Sequence, residues 1–274
     1  MIEVNDIHYT YPTGVTVLNG VSIKVGYGEF LAVMGENGAG KTTLVKHFNG
    51  LLKPSQGEIL VDGVATTKAS VAQLSRKIGL VFQNPDHQFF CETVEEEIAF
   101  GLRNFGFSEE AIKEKIDFAL NLLDLGDYRK TSPFMLSGGE KKRLALATVL
   151  TWDPTVLILD EPTVGQDYSQ KEKLRQFILK LNSEGKTVII VTHDIEFVAE
   201  CNPRVVILSH GRIIADGPAK KVLTNFDQVQ EASLVPPQMT QVFLKLTDMG
   251  FTADTIDVNE AKDKIMDYLQ RSPK

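Results

Sequence analysis

At 274 residues, with a net charge of −7 and two cysteines far apart, the chain has room for one large core and a small appendage. The acidic balance offers no bulk basic field for nucleic acid or an anionic membrane, and Cys91 and Cys201 lack metal-ligand spacing, which suits a reducing compartment. "MIEVNDIHYT" has no positive segment before an apolar core, and no apolar run approaches the roughly 20 residues of a membrane helix, so a soluble chain is expected, for which any membrane role must come through a partner.

"IEVNDIHYTY", "VTVLNGVSIKV" and "GEILVDG" alternate apolar and polar residues between glycines, the pattern of antiparallel strands. The nearly continuous apolar runs "FLAVMG", "IGLVF", "TVLILD", "TVIIVTH" and "RVVILS" suit strands buried on both faces and predict a parallel sheet. Between them, Ile112, Ile116, Leu120 and Leu123 share a helical face behind a Ser108 cap, and Leu174, Phe177, Ile178 and Leu181 share another. Strand and helix alternate, so the fold class is α/β. From 218 to 237 the pattern thins, and Pro236 and Pro237 mark a junction. The tail of about 40 residues holds two or three short helices, too little for a core of its own, so it is expected to pack on the main domain or on a second copy.

"FLAVMGENGAGKTTL" sets a buried strand before Gly35, Glu36, Asn37, Gly38, Ala39, Gly40, Lys41 and Thr42, with Thr43 following, and this matches the phosphate-binding loop G-x-x-x-x-G-K-[ST]. Its glycines let backbone N–H groups wrap phosphates, Lys41 neutralises the outer oxygens, and Thr42 offers a hydroxyl to Mg²⁺. The strand before and helix after disfavour an incidental lysine in a glycine-rich turn. "TVLILDEPT" places Asp160 and Glu161 at the carboxyl end of a strand, where an open parallel sheet presents its ligand crevice. Asp160 would hold Mg²⁺, and Glu161 would orient or deprotonate an attacking water. His193 ends "TVIIVTH" at the same edge, a candidate phosphate or water ligand. Gln83 ends another strand, and its amide could reach the metal or the water.

"LSGGEKKRLALA" opens a helix in which Ser137 and Glu140 fit a capping box and Lys141, Lys142 and Arg143 occupy the outer face. A cap does not account for Gly138 and Gly139, each costing roughly 0.5–1 kcal/mol against alanine in a helix. Bare N–H groups at a helix start also make an anion site.

In this order, the P-loop at 35–42, Gln83, "LSGGE" at 137, Asp160 with Glu161, "GQD" ending at Asp167, and His193 resemble the motifs of ATP-binding-cassette ATPases over residues 1–220. "HFNGLLKPSQGEILVDG", "FQNPDHQFF", "TVEEEIAFG" and the proline-broken tail look like the ATPase subunits of energy-coupling-factor importers of vitamins or cobalt and nickel ions. The resemblance implies a mixed central sheet with an antiparallel β subdomain and a helical subdomain at about 84–152; the remaining 221–274 are read as a small C-terminal domain, with stabilisation of a dimer as its candidate role. The same resemblance implies ATP and Mg²⁺ as cofactors and a peripheral place on the cytoplasmic face of the cell membrane, while the chain's acidity disfavours nucleic acid as a partner. It also implies Tyr11 against adenine, although a strand tyrosine is an equal alternative, and Asp167 as the link between two ATP sites. Gln166 stands where most cassettes have leucine, and Glu140 replaces the commoner glutamine.

In that family Ser137, Gly138 and Gly139 face the P-loop of a second ATPase subunit, identical or related. The remaining implied partners are a transmembrane coupling subunit and a substrate-binding membrane subunit. "NPDHQFFCETVEEEIAFGL" would form the groove for coupling helices, with Phe89 and Phe90 as apolar contacts and Asp86 facing a partner arginine. The alternative there is that both phenylalanines are core. A soluble cassette ATPase acting on DNA or ribosomes is the second functional class. Against it, about a hundred residues without heptads separate Gly35 from Ser137, leaving no place for a long coiled coil.

Overall fold

The computed structural model describes residues 1–271. Strands β1 (Ile2–Thr10) and β2 (Thr16–Val25) form a hairpin, and β3 (Phe30–Met34) runs through a glycine loop into helix α1 (Lys41–Phe48). Next come β4 (Gln56–Val61), β5 (Val64–Ala65), the short α2 (Val71–Ser75) and β6 (Ile78–Val81). Helices α3 (Val94–Asn104), α4 (Glu109–Leu122) and α5 (Gly138–Leu150) precede β7 (Val156–Asp160). The second half continues with α6 (Tyr168–Ser183), β8 (Thr187–Val191), α7 (Ile195–Cys201), β9 (Arg204–Ser209) and β10 (Arg212–Pro218). It closes with α8 (Ala219–Leu223), α9 (Phe226–Glu231), α10 (Gln238–Lys245) and α11 (Val258–Arg271).

The alternating segments pair antiparallel in the order β2-β1-β4-β5, and the continuous apolar runs form a second sheet in the order β10-β9-β3-β8-β7-β6. Within it only β10 runs antiparallel to its neighbour. Period-two alternation is hidden inside those runs because both faces are covered. Val33, Ile158, Val191 and Leu208 point to one core, where Leu44, Val45 and Phe48 of α1 pack between the two sheets. Met34, Leu159, Ile190 and Ile207 point the other way, onto Ile98, Leu144, Ile178 and Val198 of the flanking helices. Parallel pairing thereby brings the carboxyl ends of β3, β6, β7 and β8 to one edge, each followed by a loop of the candidate site.

Caps fix the helix starts as expected. Ser108 caps α4, and the Ser137–Glu140 box closes at the start of α5. Thr93 with Glu96 makes a second box at α3. Glu97, one residue on, is buried and accepts the N–H groups of Phe90 and Cys91 at 3.0 and 2.9 Å.

That turn corrects the expectation that both Phe89 and Phe90 face a groove. Phe89 enters the core, while Phe90 is 58% exposed and stacks edge-on against Phe100 at 4.5 Å. Asp86 is not a free carboxylate, because Lys141 of α5 donates to it at 2.7 Å.

Past residue 220 the chain stays in the large core through Val222, Leu223, Val229 and Ala232, and Ile256 joins it from further on. Beyond the Pro236–Pro237 junction, Phe243 is buried and meets Phe251 edge-on at 5.2 Å. Lys220 ties α8 to Glu260 of α11 at 2.7 Å.

Candidate functional site

The loop between β3 and α1 is built on left-handed glycines. Gly35 has φ +147°, and a Cβ there would lie 2.1 Å from the Leu208 carbonyl oxygen, so only glycine lets the loop lie against β9. Gly38, at φ +87°, faces open space. Gly40 caps α1 through its backbone alone, and no acidic residue occupies the first turn, so the helix start keeps its partial positive charge for an anion.

Lys41 is buried, and its ammonium donates to the carbonyls of Gly35 and Glu36 at 2.8 and 2.9 Å. Burial pushes its pKa below the ordinary lysine value, against the pull of Glu161, Asp160 and Glu36. The Thr42 hydroxyl donates to Asp160 at 2.8 Å. Burial raises the Asp160 pKa, with Thr42 opposing and the neighbouring Glu161 adding to the rise.

Glu161 is also buried, and it holds the left-handed backbone conformation at φ +48° that a side-chain-bearing residue seldom adopts. Its N–H donates to Val191 O at 2.7 Å, which pins the turn after β7 to the end of β8. One carboxylate oxygen lies 2.9 Å from His193 Nδ1 and 3.9 Å from the Lys41 ammonium. The other accepts from Thr192 Oγ1 at 3.2 Å.

A cavity of about 310 Å³ opens beside Lys41, Thr42 and Glu161 and is also lined by Tyr11, Asn37 and Gly38, with Gly40, Thr43 and Gln83 at its wall; His193 lies beside Glu161 and does not line it. The hydroxyls of Tyr11 and Thr43 are hydrogen-bonded at 3.0 Å, and Tyr11 meets Tyr9 edge-on at 4.9 Å. A second cavity of about 400 Å³, between α5 and α6, also touches Gln83 and Glu161 and has Gly139 in its wall. Ser137, Gly138, Glu140 and Asp167 line neither cavity. Asp167 instead caps α6, accepting from Gln170 N at 2.8 Å.

Three cations expected on the outer face of α5 are half-buried and turned into the chain. Lys142 donates to the carbonyls of Pro162 and Val164, tying the signature helix to the turn after Glu161. The sequence signal for that contact was the cluster of three cations directly after a helix cap. Thr192 joins the site without matching any motif; its signal in the sequence is a hydroxyl at a strand end beside His193 in "TVIIVTHD".

The ABC transporter family model matches residues 18–164. The chain belongs to this family. Over 98% of the cassette and 88% of the relative, it is 39% identical to the energy-coupling factor transporter ATP-binding protein EcfA of Methanothermobacter thermautotrophicus. Among solved structures it resembles cbiO1 from Clostridium perfringens, described as part of the ABC transporter complex cbiONQ. That likeness has a TM-score of 0.74 and 35% identity, over 91% of the cassette and 96% of that chain. It also resembles the ATP-binding cassette MJ0796 in a dimeric post-hydrolysis state bound to ADP and Pi. There the TM-score is 0.73 and the identity 30%, over 80% of the cassette and 99% of that chain. The cassette is an ATP-binding, ATP-hydrolysing enzyme with the mixed sheets and helical segments of this family. Among the described residues no helix is long and apolar enough to cross a membrane.

Proposed function

We propose that this cassette is the ATP-hydrolysing subunit of an importer of the energy-coupling-factor type for vitamins or cobalt and nickel ions. It sits on the cytoplasmic face of the membrane, against a transmembrane coupling subunit and beside a substrate-binding membrane subunit. The likeness to EcfA supports this because it extends through the tail, well beyond residue 164. The exposed Phe90–Phe100 pair supplies apolar contacts for a coupling helix. No observation favours action on DNA or ribosomes.

The residues at the sheet edge fit ATP with Mg²⁺. The buried Lys41 ammonium lies beside open backbone N–H groups, and a hydroxyl and a buried carboxylate, Thr42 and Asp160, stand 2.8 Å apart as hard oxygen ligands. Thr42 and Asp160, with Gln83 alongside, would hold Mg²⁺, which supplies charge neutralisation at the phosphate oxygens. Lys41 and the N–H groups of residues 35–43 bind the phosphates, and Tyr11 flanks the base. Glu161 acts as general base, and His193, whose Nδ1 lies 2.9 Å from its carboxylate, orients the water or the outer phosphate.

The working unit is a dimer, with a second copy or a related subunit, and one observation carries this. Gly138 and Gly139 have ordinary helical φ, and a Cβ at 138 would meet nothing within 4 Å. Nothing inside the chain requires glycine there, so the space serves a phosphate held by the partner's P-loop, with Ser137, Gly138 and Gly139 as donors, Glu140 closing the cap and Asp167 spanning the two sites. The dimeric MJ0796 structure supports the arrangement.

Glu161→Gln is expected to bind ATP, stop hydrolysis and accumulate a dimer on a sizing column. Normal turnover by this variant would overturn the role of Glu161.

A further inference from the structure

Glu161 is held from both ends, but by different means. Its backbone is fixed by the bond to Val191, whereas its side chain keeps three rotatable bonds and needs a separate restraint. On one oxygen that restraint is Thr192. The threonine is 0% exposed and has the stiff χ1 of a β-branched residue.

The direction of its hydrogen bond follows from the chemistry of its neighbours. Asp194 N–H donates to Thr192 Oγ1 at 3.1 Å, which occupies an acceptor site and leaves the single hydroxyl proton for another partner. An ionised carboxylate only accepts, so the proton goes to Glu161 at 3.2 Å. Asp194 is itself held, by Lys171 of α6 at 2.6 Å and as the cap of α7. The restraint on Glu161 thus reaches into two helices.

We propose that Thr192 is a positioning residue for hydrolysis: it donates to one oxygen of Glu161 while His193 Nδ1 holds the other, and the two bonds together fix the carboxylate plane in which Glu161 takes the proton of water. This rests on the assignment of Glu161 as general base. Thr192 is fully buried and lines neither cavity, so it acts through Glu161.

Thr192→Val keeps the shape and removes the donor. It is expected to lower kcat for ATP roughly 10- to 100-fold, the range for one hydrogen bond to a charged group, with KM for ATP within about twofold. An ATP-bound dimer should accumulate on a sizing column, and Thr192→Ser should restore turnover and remove the accumulation. If Thr192→Val does not fold, Thr192→Cys replaces it, since a thiol is a weak donor of similar shape to serine. Wild-type turnover in the folded variant overturns the proposal, as does slow turnover without dimer accumulation, the mark of a merely structural threonine. Glu161→Gln run alongside separates the two levels. If it turns over normally, the assignment of the base fails; if it stalls while Thr192→Val does not, only the positioning role fails.

Discussion

Gly35 and Gly38 lie three positions apart in one loop and serve different ends. Gly35 is required by the fold, since its φ of +147° and the Leu208 carbonyl at 2.1 Å leave no room for a side chain. Gly38 sits at φ +87° in open space, so the fold needs only its conformation. Gly35→Ala is therefore expected to destabilise the protein by about 3 kcal/mol or more, seen as failure to fold or a large fall in Tm. Gly38→Ala should cost only about 1–2 kcal/mol and yield folded protein, yet weaken ATP binding, because the methyl group enters the phosphate cradle. Thermal melts and nucleotide titrations check both. A G38A variant with wild-type ATP affinity would remove Gly38 from the cradle. The motif made both glycines legible, but it could not say which served packing and which served the ligand, because that depends on β9, about 170 residues away.

Helix α5 carries the sharpest conflict between local stability and function. Its capping box is complete, with Ser137 N donating to Glu140 at 2.7 Å and Glu140 N to Ser137 Oγ at 3.4 Å, and Tyr128 also bonds Glu140. Ser137→Ala should lower stability by about 1 kcal/mol. Gly138→Ala should raise it, by up to about 0.5–1 kcal/mol, since the φ there is ordinary and the surroundings are empty. The same variant should slow hydrolysis and reduce ATP-driven dimerisation. A more stable G138A protein with unimpaired turnover would show that the glycine serves no partner phosphate. The capping box places the start of this helix, but an outer face for Lys142 does not hold, since its ammonium is tied to backbone carbonyls. Periodicity reports a face without saying what approaches it, and here the turn at Pro162–Val164 folds back onto the polar side.

At the scale of the whole molecule, the proposed ATP site is half of an assembly. P-loop, Gln83, Glu161 and His193 meet along one sheet edge, while Gly138 and Asp167 lie outside the cavity at the P-loop. The tail beyond Pro237 packs chiefly around Phe243 and returns to the core through Ile256, and it exposes Val258, Met266 and Leu269. Its proposed role is to hold the dimer between turnovers. Deletion of residues 237–274 is expected to leave ATP binding in place and to move the nucleotide-free population toward monomer by light scattering. An unchanged mass distribution would assign the tail to folding alone.

The sequence by itself determined the strands, the helix starts and the ATP-binding chemistry, because periodicity, caps and the P-loop are local codes read within a few residues. The separation of Phe89 from Phe90, the pairing of Asp86 with Lys141, and the grip of Thr192 on Glu161 were decided by the tertiary structure. Each depends on which distant element arrives at a given face. Parallel pairing decides that through the cores on both sides of the sheet, where unbroken apolar runs leave little signal of direction.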